Sequence, residues 1–381
     1  MVQFLYYKPM KNKTIWLVVG VVVVVGIVVW AVSRTPSSGS PVASAGKPIK
    51  IGVILPETGD LSVTGQKMYN GVLLAAAQLP SNVQVFYEDD HSDVTTGVTA
   101  ANKLISVDGV NLLVGLYDPD EVQAVAPIAK AAGVEIFTTN YCDDSFIPLT
   151  NVFCGYPGAA GQLQTAIPLI QKNNLKKFAL VDSNSSFGID SKNAMDALVA
   201  QQGGQVVLDD FLPTSPTRDY QTEALKVMQS GADTIFTATD DPADALTLTK
   251  DLYNLGFKGT RITFVDTDDT YLAQFDPSAN GTFAPGIAPS DFAPDFTSAF
   301  QAKYNVAPDY AGALGYDFIR SITGALAANN WNVGTIASSV VAYDYTDPAI
   351  TGFKFLPDRT VSFQLELWEA QNGHYAKAPG Y

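Results

Sequence analysis

Histidine and cysteine are almost missing from this chain: His91, His374, Cys142 and Cys154 are all there is in 381 residues. No set of soft ligands remains for a structural zinc or an iron–sulfur site, and neither a metal nor a cofactor is expected. Basic residues are scarce too. Lys and Arg number 23 against 38 Asp and Glu, a formal net charge of −15, and they form no cluster outside the N-terminus. A protein that grips a nucleic-acid backbone needs a cationic face, so that partner is excluded. The chain also lacks a Gly-x-Ser-x-Gly elbow, a His-Glu-x-x-His helix and a phosphate loop. Hydrolysis by paired carboxylates is the enzyme reading that the abundant Asp still allows. What is present suffices to fold: 47% hydrophobic and 11% aromatic residues with only 16% charged residues exclude a disordered or collagenous chain. At roughly 150 residues per domain, the length suggests two globular units and a remainder.

The remainder is at the front. Ile15 to Val32 is a run of eighteen uncharged residues, mostly Val, preceded by Lys8, Lys11 and Lys13 and carrying Trp16 and Trp30 near its ends. Such a run approaches the ~30 Å hydrocarbon thickness, and the Lys cluster places the N-terminus in the cytoplasm with the rest outside. Residues 1–34 therefore read as a single-pass transmembrane anchor. A cleavable signal peptide competes, because Ala43-Ser44-Ala45 resembles a cleavage site, although the apolar run ends more than ten residues earlier. Residues 1–34 hold four basic and no acidic side chains, which leaves the remainder at −19. Arg34 to Pro41, rich in Ser and Pro, opens a flexible tether over 35–47.

From Ile49 onward strand-like runs alternate with helical patterns, the mark of βαβ units and parallel sheets. Ile49 to Leu55, Val83 to Tyr87, Asn111 to Gly115 and Val134 to Phe137 read as four strands, with helices near Thr64–Leu79, Val94–Val107 and Asp120–Ala132. The pattern restarts with strands at Phe178–Val181, Val206–Leu208, Thr234–Phe236 and Ile262–Val265, separated by helices near Phe187–Gln201, Tyr220–Gln229 and Ala243–Leu255. Two further helices, near Pro294–Tyr304 and Gly312–Ala328, return to the first lobe. The fold class expected is thus α/β, with two doubly wound parallel-sheet lobes joined by several hinge crossings and preceded by one transmembrane helix. Lobe 1 takes 48–156 plus 285–350 and lobe 2 takes 157–284 plus 351–378. Crossings fall near Tyr156, Ala284 and Thr351. Open parallel sheets bind ligands beyond the carboxyl ends of their strands, so two such lobes make a ligand cleft between them.

Several local sequences, in order and at matching spacings, resemble the type I periplasmic binding proteins, specifically the leucine/isoleucine/valine-binding receptors of ATP-binding-cassette importers. They are Ile51-Gly52-Val53-Ile54-Leu55-Pro56-Glu57-Thr58-Gly59 with Gly65 and Asn70-Gly71; Tyr87-Glu88-Asp89-Asp90; Ala101-Asn102-Lys103-Leu104-Ile105; Gly133-Val134; Phe187-Gly188; and Pro308 with Gly315-Tyr316-Asp317-Phe318. The resemblance runs from Ile49 to about Trp368. It implies a receptor, not an enzyme, that binds a small polar ligand as a monomer and delivers it to a permease. A ligand-sensing ectodomain working through a partner is the alternative on the same fold.

The resemblance also places ligand contacts. The loop from Thr58 to Gly65 faces the cleft, with Thr64 where the family often has an aromatic cap. Small hydroxyl residues expected after the third and fourth strands are replaced by Tyr117-Asp118-Pro119-Asp120 and by Asn140-Tyr141-Cys142. Lobe 2 contributes Phe187, then Asp240-Asp241, then Asp266-Thr267-Asp268-Asp269, where Asp266 or Asp268 matches the acidic partner of a ligand amine. Carboxylates gathered near a low-dielectric cleft favour a ligand with an amine or other cation, or one rich in hydroxyl donors. The competing role for each Asp is helix capping: Asp240 or Asp241 precedes Pro242, and Asp118 precedes Pro119. Tyr87 to His91 reads as a structural rim. Cys142 and Cys154, twelve positions apart in an exported domain, are expected to form a disulfide, the alternative being two buried thiols.

Overall fold

Why the chain makes two sheets is visible in its strand sequences. In the computed structural model, which describes residues 48–381 apart from 142–145, 147, 214–216, 265–271, 276, 288–291, 379 and 381, the first lobe runs β1 (Ile49–Leu55), α1 (Ser62–Ala76), β2 (Val83–Asp89), α2 (Val94–Lys103), β3 (Leu112–Gly115), α3 (Pro119–Ala131), β4 (Glu135–Tyr141) and β5 (Val152–Tyr156). The sheet order is β2-β1-β3-β4-β5, and all neighbours are parallel. Helices cover both faces of such a sheet, so the inner strand β1 is an almost unbroken apolar run, while the edge strand β2 is only partly buried.

The second lobe follows with α4 (Ala159–Leu163), α5 (Ile167–Lys172), β6 (Lys177–Asp182), α6 (Ser186–Gln201), β7 (Gln205–Phe211), α7 (Gln221–Ser230), β8 (Thr234–Ala238), α8 (Pro242–Asn254), β9 (Thr260–Phe264) and β10 (Thr282–Gly286). The chain then re-enters the first lobe for α9 (Pro294–Tyr304), α10 (Tyr310–Ala328), α11 (Ile336–Ala342) and the short antiparallel pair β11 (Lys354–Phe355) and β12 (Val361–Ser362). It ends on β13 (Glu366–Gln371) and β14 (His374–Lys377), which give the second sheet the order β14-β13-β10-β9-β8-β6-β7. Asp or Ser caps α2, α3, α6, α8 and α10, each accepting from a backbone N–H of the first turn.

Two of the sequence signatures find their physical reason in the packing of α1 on α10. A Cβ on Gly71 would lie 1.9 Å from the Gly312 carbonyl oxygen, and one on Gly315 would lie 2.2 Å from that of Met68. The two helices touch through their backbones, which only glycine permits. One turn further, the wholly buried Asp317 accepts hydrogen bonds from the Tyr345 hydroxyl (2.8 Å) and the Ala349 and Ile350 N–H groups (2.6 and 2.8 Å). That carboxylate holds the segment leading out of α11 onto the first lobe.

Phe353, Phe355 and Val361 belong to the first lobe's core together with Phe137, Phe153 and Phe318, and Leu367 belongs to the second lobe's core. The last crossing therefore comes at about Leu365–Glu366, later than Thr351, because the aromatic residues after Thr351 bury against the first sheet. Likewise Ala284 sits inside β10, and the crossing follows Gly286, since Ile287 packs in the first lobe. The strands β5, β10, β13 and β14 have no counterpart in the sequence reading. No helix among the described residues is long and apolar enough to cross a membrane; the run Ile15–Val32 lies outside the described residues.

Candidate functional site

The carboxyl ends of β3, β4 and β5 face those of β8 and β9 across a cleft of about 840 Å³, part of it open to solvent. Each wall is built by the residues that end a strand. In lobe 1, β3 runs out at Gly115, and the Tyr117-Asp118-Pro119 turn into α3 lies on the wall. Asn140 fixes that turn by donating from Nδ2 to the Tyr117 carbonyl (2.5 Å), while its Oδ1 accepts from the N–H of Tyr141 (2.7 Å). The Thr138 hydroxyl ties the same two strand ends by donating to the Leu116 carbonyl at 2.7 Å. Beside them, Thr139 lines the cleft with a hydroxyl that is buried and has no hydrogen-bond partner among the described residues.

Asp118 does two jobs. Its Oδ1 accepts from the N–H of Asp120 at 2.7 Å, which caps α3, and its side chain also lines the cleft. Burial pushes its carboxyl above the ordinary range, with repulsion from Asp120 and Asp240 adding to the effect. In lobe 2 the corresponding duties fall to neighbours: Asp241 caps α8 through the Ala243 N–H (2.8 Å) and pairs with Arg218, leaving Asp240 to the cleft. The Ser185 hydroxyl donates to Asp240 Oδ1 at 2.8 Å. Asp240 keeps surface open to solvent, yet the protein around the cleft displaces much of its hydration, and its carboxyl is likewise pushed up.

Aromatic rings make up much of the remaining wall. Tyr141 of lobe 1 packs on Phe187 of lobe 2 at 5.6 Å between ring centres, and Phe187 continues to Phe264 at 6.4 Å. On the other side Tyr156 packs on Tyr310 at 5.8 Å, and the hydroxyls of Tyr310 and Tyr117 are 3.5 Å apart. The lobes also touch where Ser186, in the first turn of α6, donates to Asp120 in the first turn of α3. No Lys, Arg or His stands among the described residues that line the cleft.

The structure thus brings Tyr117, Asp118, Asn140, Tyr141, Phe187 and Asp240 to one cleft. Thr64 is not with them. It lies buried in the first turn of α1, where Gly65 abuts the Pro56 carbonyl, and Leu61 makes that loop's contact with the cleft. Cys142, Asp266 and Asp268 lie outside the described residues. Cys154 is wholly buried on β5 and is disulfide-bonded. Sequence reasoning passed over Thr139, Tyr156, Gln162, Thr239, Phe264, Pro285 and Tyr310. Thr139 was within reach, since a hydroxyl residue is expected after the fourth strand and this one stands a position before Asn140.

The Tyr87–His91 segment is a scaffold. Asp89 accepts from the N–H groups of Glu57, Thr58 and His91 at 2.9, 3.2 and 2.9 Å and from the Thr58 hydroxyl at 2.8 Å, which shapes the loop after β1. Among the described residues no group of His, Cys, Asp and Glu is placed to hold a metal ion.

Two lobes, a strand-end cleft and three crossings are the architecture of a two-lobed binding protein. The chain belongs to the periplasmic binding protein family, whose model matches residues 48–374, and it is a type I member of the kind that serves ATP-binding-cassette importers. Leu/Ile/Val-binding protein homolog 6 of Brucella suis biovar 1 is 27% identical over 207 residues, 52% of this chain and 52% of that protein, so the match spans about half the length of that curated relative. A leucine binding protein from Thermotoga maritima shares the fold with a TM-score of 0.79 at 19% identity, covering 87% of this chain and 97% of that one. A solute binding protein of an ABC transporter from R. palustris, in complex with benzoate, gives 0.77 at 19% identity over 87% and 95% of the two chains. At these identities the structural likeness carries the fold, and the ligand has to be argued from the cleft.

Proposed function

We propose that this chain is an extracytoplasmic solute receptor that holds a small amine-bearing ligand between its lobes and delivers it to an ATP-binding-cassette permease. The observation that carries the reading is the pair of carboxylates supplied by opposite lobes, Asp118 and Asp240, in a cleft whose described lining has no basic side chain. Two acids brought together out of bulk water repel each other. A cation between them relieves that repulsion and is attracted to both lobes, so its binding energy goes into holding the lobes together.

The names of similar proteins point to two ligand classes, leucine and benzoate. An amino acid brings an ammonium to the acids. Benzoate would suit the aromatic walls, but its carboxylate would meet Asp118 and Asp240 with no described basic residue to offset them. The aromatic surface favours a second, narrower reading, a ligand with a flat ring, provided that the ring carries a cation and not an anion.

The proposal includes residues 1–34 as a membrane anchor with the N-terminus in the cytoplasm, and a monomeric receptor tethered near its permease. Native mass spectrometry of the gently extracted full chain should reveal a co-purifying molecule with a positively charged nitrogen. A tightly held anion, or a molecule turned over to product by the purified protein, overturns the reading.

A further inference from the structure

The cleft offers a cation a negative field and aromatic surface, and the balance between them identifies the kind of cation. Both carboxylates are already occupied by protein donors. Asp118 Oδ1 accepts from the backbone N–H of Asp120 and Asp240 Oδ1 accepts from the Ser185 hydroxyl. These bonds fix the negative charges in place through one oxygen of each carboxylate, so discrimination between cations falls to the rings around them.

A primary ammonium has three N–H donors and a tightly held hydration shell, and each donor needs an acceptor once water is excluded. A tertiary or quaternary ammonium needs one acceptor or none. It presents methyl groups that bury well against rings, and its spread charge is drawn to the electron-rich ring faces. The rings are on the page: Tyr156 and Tyr310 at 5.8 Å on one side, with Tyr117 in reach of Tyr310, and Tyr141 on Phe187 at 5.6 Å on the other. An independent sign of a ligand is the Thr139 hydroxyl, which lines the cleft, is 2% exposed at the residue level and has no hydrogen-bond partner among the described residues. It is placed for a polar group on the part of the ligand away from the nitrogen.

Resting on the cationic-ligand reading above, we infer that the cleft selects an N-methylated ammonium over the corresponding primary amine. Asp118 and Asp240 supply the field, and Tyr156, Tyr310, Tyr141 and Phe187 supply the surface that discriminates.

The test is calorimetry on the full chain with three probes of one skeleton: 2-phenylethylamine, its N,N-dimethyl derivative and its N,N,N-trimethyl salt. Affinity should rise about tenfold or more from the first to the last, the scale of a desolvated cation–π contact. The variants Phe187→Leu and Tyr310→Leu, which keep both acids, should flatten the series, whereas Asp240→Asn should lower all three affinities alike. Equal or tighter binding of the primary amine to the unaltered protein overturns this inference and leaves the cationic reading standing. Failure of all three amines to bind overturns this inference; binding of benzoate in their place overturns the cationic reading as well, whereas binding of leucine, which carries an ammonium, leaves that reading standing.

Discussion

The two walls of the cleft begin from nearly the same sequence problem and solve it differently. Each has Asp and Pro where a strand hands over to a helix. In lobe 1 a single residue, Asp118, both caps α3 and faces the ligand space, and it sits beside two further buried acids, Asp90 and Glu121. In lobe 2 the work is divided, with Asp241 as cap and Asp240 held to the cleft by Ser185. The difference teaches that a carboxylate in a binding wall can be placed either by the helix it caps or by hydroxyls on a neighbouring loop. Only in the first case are stability and binding tied to one side chain.

The largest expected effect concerns the acids behind the lobe 1 wall. Asp90 is buried, and loss of hydration pushes its carboxyl up to about 7. An acid whose pKa is higher folded than unfolded binds more protons in the native state, so it favours folding most at low pH. That contribution is lost as pH rises from the ordinary carboxylate range through 7, by up to about 4 kcal/mol for a shift of this size. Thermal unfolding should therefore shift to lower temperature between pH 5 and pH 8. Asp90→Asn keeps an acceptor for the Ser92 N–H, which Asp90 Oδ1 now receives at 2.7 Å, and should make the dependence shallower, the buried Asp317, likewise pushed up to about 7, keeping part of it. An unchanged slope in that variant would remove Asp90 from the account.

Next in size is the covalent link at the edge of lobe 1, absent from lobe 2. We expect Cys142 and Cys154 to be joined, and a loop of this length contributes on the order of 3 kcal/mol in the chain-entropy model. Alkylation under denaturing conditions without reductant should label neither thiol, and reduction should lower the unfolding midpoint. Labelling of both would separate the pair.

Comparable in scale is the charge itself. Asp118→Asn and Asp240→Asn should each weaken binding of a cationic ligand by about 1.5 to 3 kcal/mol, roughly ten- to a hundredfold, as titration calorimetry would show. Asn caps a helix about as well as Asp, so neither change should move stability much. If only one of the two weakens binding, the cation is held by one lobe and the two-sided account fails.

The smallest effect is the most diagnostic of the comparison. Asp118→Ala removes a cap as well as a charge and should cost about 1 kcal/mol of stability in denaturant titration, whereas Asp240→Ala should stay within about 0.5 kcal/mol. Equal losses would show that the lobes are not built differently after all.

Much of the fold was legible because burial writes itself into strands and helices. β1, with six of its seven residues buried, reads as a strand of a doubly covered sheet, and α9 was placed residue for residue by its apolar spacing. Short elements were not legible. Val152 to Tyr156 contains Cys and Gly and no alternation, and becomes a strand because β4 offers it a parallel partner. The C-terminal hairpin likewise exists because a partner is offered, pairing antiparallel through Trp368 and Ala284 with a strand 84 positions earlier.

By itself the sequence determined the doubly wound lobes and the excess of acid at their strand ends, since these follow from periodicity, length and composition, and its local motifs carried the resemblance to the family. Tertiary structure alone decided which acid caps and which faces the ligand. It also decided that Tyr156 and Tyr310, 154 positions apart, share a wall, and that Thr64 turns inward where Leu61 turns out. The physical reason is that a strand's side-chain direction is set locally, whereas the residues that close a cleft meet only after two separately folded sheets are brought together. The distance between them along the chain holds no trace of that meeting.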